Sequence, residues 1–452
     1  YSIHQANLES LHALARMQDA WLARLRNGLE ASALAWGSGH MPTVRGRDLS
    51  LMSELELSVH LQAQQLAGQL VKSLAPTLDN CDRQVTALAT TLGLRVDAGN
   101  PWGPEGVLRE FAESLPLDEI NVAEPELFRT DTMWPYFERL RKEDPIHYHA
   151  EGLHPEGPYW SVTKYNDIMA VDTNHEVFSS EPSITIFDAK DDFPLPMFIA
   201  MDPPKHDLQR KTVSPAVAPA RLQEMGPQIR ERAGHILDSL PIGEAFDWVD
   251  LVSKELTAMT LATLFDFPFE ERRKLTYWSD VVTAVPGKSP LVDTIEQKMQ
   301  IFIEYHAYFT GLWNQRVNAP PGGDLISMLA HGPETRNMEP REYFGNIVLL
   351  TVGGNDTTRN TITGSVLALN QNPDQYKKLR ENPGLIPSMV SETIRWQTPL
   401  AHMKRVATQD YELGGKTIRK GDNVVMWYVS GNRDDTVIAN PNDYIIDRER
   451  PR

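Results

Sequence analysis

Thr351-Val352-Gly353-Gly354-Asn355-Asp356-Thr357-Thr358-Arg359 lies inside a long apolar run with helical spacing, from about residue 342 to 369. Each glycine costs such a helix about 1 kcal/mol against alanine. That cost calls for a compensating reason, such as something flat or bulky approaching the backbone. Asp356 and Thr357 put an acid beside a hydroxyl, a pair able to relay protons. The Thr hydroxyl can equally bond back to the preceding turn and bend the helix. A plain helix kink is the competing reading. A phosphate loop is disfavoured, because no Gly-Lys-Ser/Thr follows the glycines.

Four further blocks stand around this one. Upstream, Met201-Asp202-Pro203-Pro204-Lys205-His206-Asp207-Leu208-Gln209-Arg210 punctuates and then opens a helix. His206 and Arg210 are four apart, hence on one face, where two donors can grip a carboxylate; a solvated His–Arg pair is the alternative. Downstream, Ser391-Glu392-Thr393-Ile394-Arg395-Trp396 carries an i,i+3 acid–base pair. By itself that is equally a surface salt bridge of little energetic weight. Met403-Lys404-Arg405-Val406-Ala407, followed by Gly431-Asn432-Arg433-Asp434, and Asn440-Pro441-Asn442-Asp443-Tyr444-Ile445-Ile446-Asp447-Arg448 complete the series.

In this order the five blocks resemble a bacterial cytochrome P-450, a haem-thiolate monooxygenase, from about residue 115 to the end. Several blocks are worded most like the soluble branch that hydroxylates alkanes and fatty acids at the terminal carbon: Phe198-Ile199-Ala200-Met201-Asp202, Val352 to Asn360, and Ile394 to Leu400. The resemblance implies haem b as cofactor and O2 as co-substrate, with thiolate electron donation favouring O–O cleavage. It makes Asp356 and Thr357 the catalytic acid–alcohol pair and sets Gly353 and Gly354 against the porphyrin. His206, Arg210 and Arg405 become partners of the haem propionates. Glu392, Arg395 and Arg448 become a buried structural network. Phe198, Leu400 and Ala401 become lining of an apolar pocket, with a substrate loop over residues 184–198. Electrons are expected from a ferredoxin and a ferredoxin reductase.

The family's haem ligand is a cysteine in a Phe-x-x-Gly-x-x-x-Cys loop just beyond the position matched by Arg448. The 452-residue chain contains one cysteine, Cys81, and runs to Arg452. Cys81 sits in Thr77-Leu78-Asp79-Asn80-Cys81-Asp82-Arg83, with no glycine-rich loop and with carboxylates that oppose thiolate formation. The expectation is a P-450 domain over 115–452 without its cysteine loop and following helix. No metal ligand is assigned, and as written the chain is expected to be inactive. The alternative reading is a non-catalytic helical interaction module fused to a decayed P-450 body.

Composition agrees with two parts. Residues 1–114 hold a single lysine, Lys72, against 14 in the remainder, while 28 of the 32 prolines lie beyond residue 114. Leucine and alanine recur at helical steps from Leu8 to Leu29 and from Ser53 to Leu78, so 1–114 reads as a helical segment of unknown function. The remainder reads as mainly α, an α+β fold with small sheets. Helices are expected near 205–240, 250–265, 290–318, 340–370 and 385–397. Strands are expected at 146–149, 159–163 and within 411–429. Lys plus Arg is 44 and Asp plus Glu is 61, leaving a formal charge of −17. That balance argues against a nucleic-acid surface. One cysteine excludes an internal disulfide framework, and no stretch nears the roughly 20 apolar residues of a spanning helix. A cytoplasmic setting is the expectation. A Gly-x-Ser-x-Gly elbow and a His-Glu-x-x-His pair are both missing from the sequence, which disfavours a hydrolase.

Overall fold

The computed structural model describes residues 109, 112–150, 157–186, 195–287 and 289–449. The chain divides into two units, Tyr1–Asp97 and Ala98–Arg452, and every described residue belongs to the second. The helices expected before residue 109, and Cys81, lie outside the described residues. Ala112 is fully buried in a cluster with Ile120, Phe137 and Trp427, so the stretch just before residue 115 packs with the residues beyond it.

The elements run α1 (Pro125–Arg129), α2 (Trp134–Glu143), β1 (Ile146–His149), β2 (Tyr159–Val162), α3 (Tyr165–Asp172) and β3 (Phe178–Ser179). Then come α4 (Lys205–Val213), α5 (Pro219–Asp238), α6 (Glu255–Phe265), α7 (Arg273–Thr283), α8 (Ile295–Val317), α9 (Leu325–His331) and α10 (Pro340–Gln371). The end holds α11 (Pro373–Glu381), α12 (Ile386–Gln397), β4 (Met403–Ala407), β5 (Tyr411–Leu413), β6 (Lys416–Ile418), β7 (Asn423–Met426) and α13 (Tyr428–Gly431). The fold is mainly α with two small sheets, as the sequence implies.

Differences from the expected elements have local causes. The single run expected over 205–240 is broken into α4, a 3-10 turn at Ser214–Val217 and α5. Pro215 and Pro219 lack the amide a continuing helix would need, and each instead begins a new turn. A π-helical stretch, Val249–Lys254, leads into α6. The basic block at 403–407 is a strand, which the sequence pattern does not mark.

The larger sheet has the order β1-β2-β7-β4-β3, with β2 and β7 parallel and the other pairs antiparallel. Its centre is β7, where Val424, Val425 and Met426 are fully buried, as a strand covered on both faces requires. β5 and β6 form a hairpin through Gly414 and Gly415, both at positive φ, the turn geometry whose twist matches paired strands.

α10 is the axis of the helical part. Pro340 opens it, and Tyr343, Phe344, Ile347, Val348 and Thr351 bury its first half. Trp278 of α7 stacks on Tyr305 of α8 at 4.5 Å, and the Tyr305 hydroxyl donates to Thr351 Oγ1 at 2.8 Å. The loop before α4 presses on the same helix: Phe198 donates its amide to Asn346 Oδ1 at 2.8 Å, and a Cβ on Gly345 would collide with the Pro196 carbonyl. These contacts hold residues 351–359 and the start of α4 in one framework.

Candidate functional site

The turn that the sequence singles out sits in the middle of α10. Thr357 Oγ1 donates to the Gly353 carbonyl at 2.8 Å, the back-bond to the preceding turn. The two glycines play different parts. A Cβ on Gly354 would stand 2.7 Å from Leu261 Cδ2, so its missing side chain admits α6. A Cβ on Gly353 would meet nothing within 4 Å. The backbone at Gly353 is therefore exposed and uncovered by the described residues.

Asp356 makes contact with α7. Its Oδ1 accepts from Arg359 at 2.8 Å, Asn355 Nδ2 at 3.0 Å and Ser279 at 3.4 Å. Burial raises its pKa, Arg359 opposes that, and the nearby Asp280 carboxylate adds to it. Asn355 is fully buried, and its Oδ1 has no hydrogen-bond partner among the described residues.

The expected anion grip is divided between elements. His206 uses Nδ1 on the Phe198 carbonyl at 2.8 Å. Donation from Nε2 to a carboxylate therefore requires the charged ring. Arg210 is exposed one turn further along α4, with no side-chain partner among the described residues. Arg405 of β4 is already engaged, donating to Asp172 Oδ1 at 2.8 Å and to the Lys404 carbonyl at 2.9 Å. The two ends meet at β3: Asp202, just before α4, accepts from Ser179 Oγ at 2.5 Å and from the Ser180 amide at 2.9 Å, and Ser179 pairs with Val406.

Glu392, Arg395 and Arg448 come together as one buried network. The Glu392 and Arg395 side chains have no exposed surface, which removes the surface-bridge reading. They pair by two bonds of 2.8 Å, and Arg448 Nε reaches Glu392 Oε2 at 3.1 Å. Arg395 also donates to the carbonyls of Asn432, Pro441 and Asp443. Burial pushes the Glu392 carboxyl up, but the bonds from Arg395, the Ile445 amide and Arg448 outweigh it and leave the pKa lowered. Arg433, part of a weak block in the sequence, belongs beside them. It donates to the Pro441 and Trp396 carbonyls at 2.8 Å and lies over the rings of Trp134 and Trp396. Burial, chiefly, holds its pKa down at about 9.

Residues expected to line a pocket fall into two apolar groups. Phe198 is buried with Phe344, Ile347 and Val348. Ile186 and Ala401 share another cluster with Val425 and Trp427, while Leu400 is 40% exposed. Residues 187–194 of the expected substrate loop lie outside the described residues. Sequence reasoning misses Arg359 and Asp280, whose only signal there is one more charge in a helix.

The fold is that of the haem-dependent oxygenases. The profile of the family Cytochrome P-450 matches residues 384–449. The chain is 33% identical over 350 residues to linalool 8-monooxygenase of Pseudomonas putida, covering 74% of this chain and 84% of that one. It is 32% identical over 346 residues to a methyl-branched lipid omega-hydroxylase of Mycobacterium tuberculosis, covering 72% and 80%. Among solved structures, the cytochrome P-450-153 of Novosphingobium aromaticivorans matches with a TM-score of 0.67 and 44% identity, covering 73% of this chain and 83% of that one. The chain belongs to the cytochrome P-450 family, whose members are monooxygenases that use haem b and O2. The family draws on redox partners and takes apolar substrates. No helix among the described residues is long and apolar enough to cross a membrane.

Two features of the described residues are compatible with a bound haem. Gly353 leaves open backbone where a porphyrin face can lie, and Arg210, unpartnered among the described residues, offers a guanidinium to a propionate. When bound, haem supplies the oxidising chemistry. What the chain itself shows is the position of three groups. α10 presents Gly353 and the Thr357 hydroxyl from one turn, and Asp356 stands beside them with a carboxyl whose burial favours the protonated form.

Proposed function

We propose that this chain is the body of a monooxygenase that hydroxylates the terminal carbon of an alkane or fatty acid. The observation that carries the reading is the Gly353–Thr357 turn of α10, opened at Gly353 and backed by the half-buried acid Asp356. In it, Asp356 and Thr357 hold and move the proton, and Gly353 and Gly354 shape the helix. His206, Arg210 and Arg405 bind the propionates, the last by sharing its fork with Asp172. Phe198, Leu400 and Ala401 border the substrate, whose recognition is apolar because no acid or base stands among them. The omega position named for the mycobacterial relative supports attack at a chain end. Ferredoxin and its reductase are the electron donors in this reading, and its setting is cytoplasmic.

The 452-residue polypeptide, with Cys81 as its one thiol, is expected not to form thiolate-ligated haem. Its reduced carbon-monoxide spectrum tests that, and a Soret band at the thiolate position would refute it. The substrate reading is tested in a chimera carrying the cysteine loop of the Pseudomonas relative after Arg448. Medium-chain alkanes and fatty acids should give mainly terminal alcohols. Oxidation confined to terpenoid or steroid rings would overturn the reading.

A further inference from the structure

A hydrogen-bond chain links α4 to the first turns of α10 and ends on Phe198. Lys205 Nζ lies 3.0 Å from the Glu342 carboxylate, whose side chain is 13% exposed. Glu342 Oε1 accepts from Gln209 Nε2, and Gln209 Oε1 accepts from Asn346 Nδ2 at 2.9 Å. Asn346 Oδ1 in turn accepts from the Phe198 amide at 2.8 Å, and Asn346 Nδ2 also reaches Met338 Sδ at 3.2 Å. Gln209 and Asn346 are both buried, so neither can exchange these partners for water.

The chain has one direction, and Glu342 sets it. A carboxylate has no proton to give, so Gln209 must turn its NH2 toward Glu342. The Gln209 carbonyl then faces Asn346, which answers with its own NH2. That leaves the Asn346 carbonyl for the Phe198 amide. Turning either amide round would set donor against donor or acceptor against acceptor, which burial makes costly. On its other side Phe198 is held as well, because its carbonyl accepts from His206 Nδ1 at 2.8 Å. Gly345, next to Asn346, admits the segment this closely, since a Cβ there would collide with the Pro196 carbonyl.

We propose that Asn346 is a positioning residue that sets the place of Phe198 at the border of the substrate, with Gln209 and Glu342 fixing the direction of its amide. The Phe198 ring is buried among Phe344, Ile347 and Val348 of α10. Apolar packing has no direction, so by itself it would let the ring settle at more than one depth along the helix. The bonds to Asn346 and His206 select one depth. Sliding this segment along α10 by the length of one methylene would change which carbon of an alkyl chain is presented. Asn346 therefore acts on the choice of carbon through Phe198, without touching the reacting atoms. The effect on substrate rests on the terminal-hydroxylation reading; the hydrogen-bond chain does not.

Site-resolved hydrogen exchange at the Phe198 amide tests the clamp in the full chain. Asn346→Leu removes the acceptor outright and should speed that exchange roughly 5-fold. Gln209→Leu should speed it as well, because Asn346 is then free to turn its amide round. Gln209→Glu keeps an oxygen facing the Asn346 NH2 and should hold exchange near wild type. In the chimera, with decane and decanoic acid as probes, the ratio of terminal to subterminal alcohol should fall roughly 10-fold in Gln209→Leu and recover in Gln209→Glu. A merely structural role would lower the melting temperature of Gln209→Leu and leave both the Phe198 exchange and the product ratio unmoved. That result would overturn the proposal. If Asn346→Leu does not fold, the two Gln209 variants still decide. A chimera that oxidises neither probe would count against the terminal-hydroxylation reading, and the exchange result would then decide alone whether Asn346 holds Phe198.

Discussion

Arg448 Nε stands 3.1 Å from Glu392 Oε2, joining residues 56 apart in the chain and closing the last turn-rich segment onto α12. Glu392 thereby accepts from two arginines and from the Ile445 amide, with no exposed surface on its side chain.

Breaking this network leaves an uncompensated buried charge, which costs about 3–5 kcal/mol. Arg395→Ala also strands the Asn432 carbonyl, whereas Pro441 keeps Arg433 and Asp443 keeps Arg448. The variant is expected to fall at the upper end of that range, or to prevent folding of residues 384–449. Arg448→Ala, nearer the edge at 11% side-chain exposure, is expected to cost less. Urea unfolding midpoints check the order.

The same carboxyl sets an acid limit. Its folded-state pKa is lowered from an ordinary value of 4.5, so its contribution to stability is present above that pH. The contribution is lost as pH falls through the folded pKa. Asp356 has the opposite sign. Its pKa is raised from 3.8, so its share of stability declines as pH rises through that region. Melting temperature against pH should be flatter below pH 4.5 in Glu392→Gln than in wild type. Asp356→Asn should instead remove a loss that grows on the way up.

The glycines of α10 separate by their surroundings. Gly353→Ala meets nothing and sits on an exposed helical position, so it should stabilise the chain by up to about 1 kcal/mol. The same methyl should weaken haem uptake if the porphyrin lies there. Gly345→Ala would drive its Cβ into the Pro196 backbone and should destabilise strongly. Thermal melts and haem titration of the three proteins distinguish a docking glycine from a packing one. Equal haem uptake by Gly353→Ala and wild type would count against the docking role.

Thr357 has a structural and a chemical part. Thr357→Ala loses the bond to the Gly353 carbonyl, whereas Thr357→Ser can keep it. In the haem-loaded chimera that carries the cysteine loop, product formed per O2 consumed should fall about 10-fold in Thr357→Ala and stay near wild type in Thr357→Ser. Unchanged coupling in both would remove Thr357 from the proton path.

The amino-acid sequence by itself determined what depends on neighbours along the chain. Helical spacing placed α10 and α12, and the i,i+3 and i,i+4 rules put Glu392 with Arg395 and Thr357 under Gly353. Those relations are legible because a helix fixes the geometry of residues three and four apart wherever it lies. Tertiary structure decided the rest. Whether Glu392–Arg395 was a weak surface bridge or a buried network depended on burial, and burial came from segments 37 to 56 residues away. Likewise, Gly353 and Gly354 are identical in the sequence but not in the fold, since only one of them faces Leu261 of α6. Arg359 was one charge among many until packing brought Asp280, 79 residues earlier, against it. Its meaning lies in two carboxylates competing for one guanidinium, and distance along the chain carries no information about that competition.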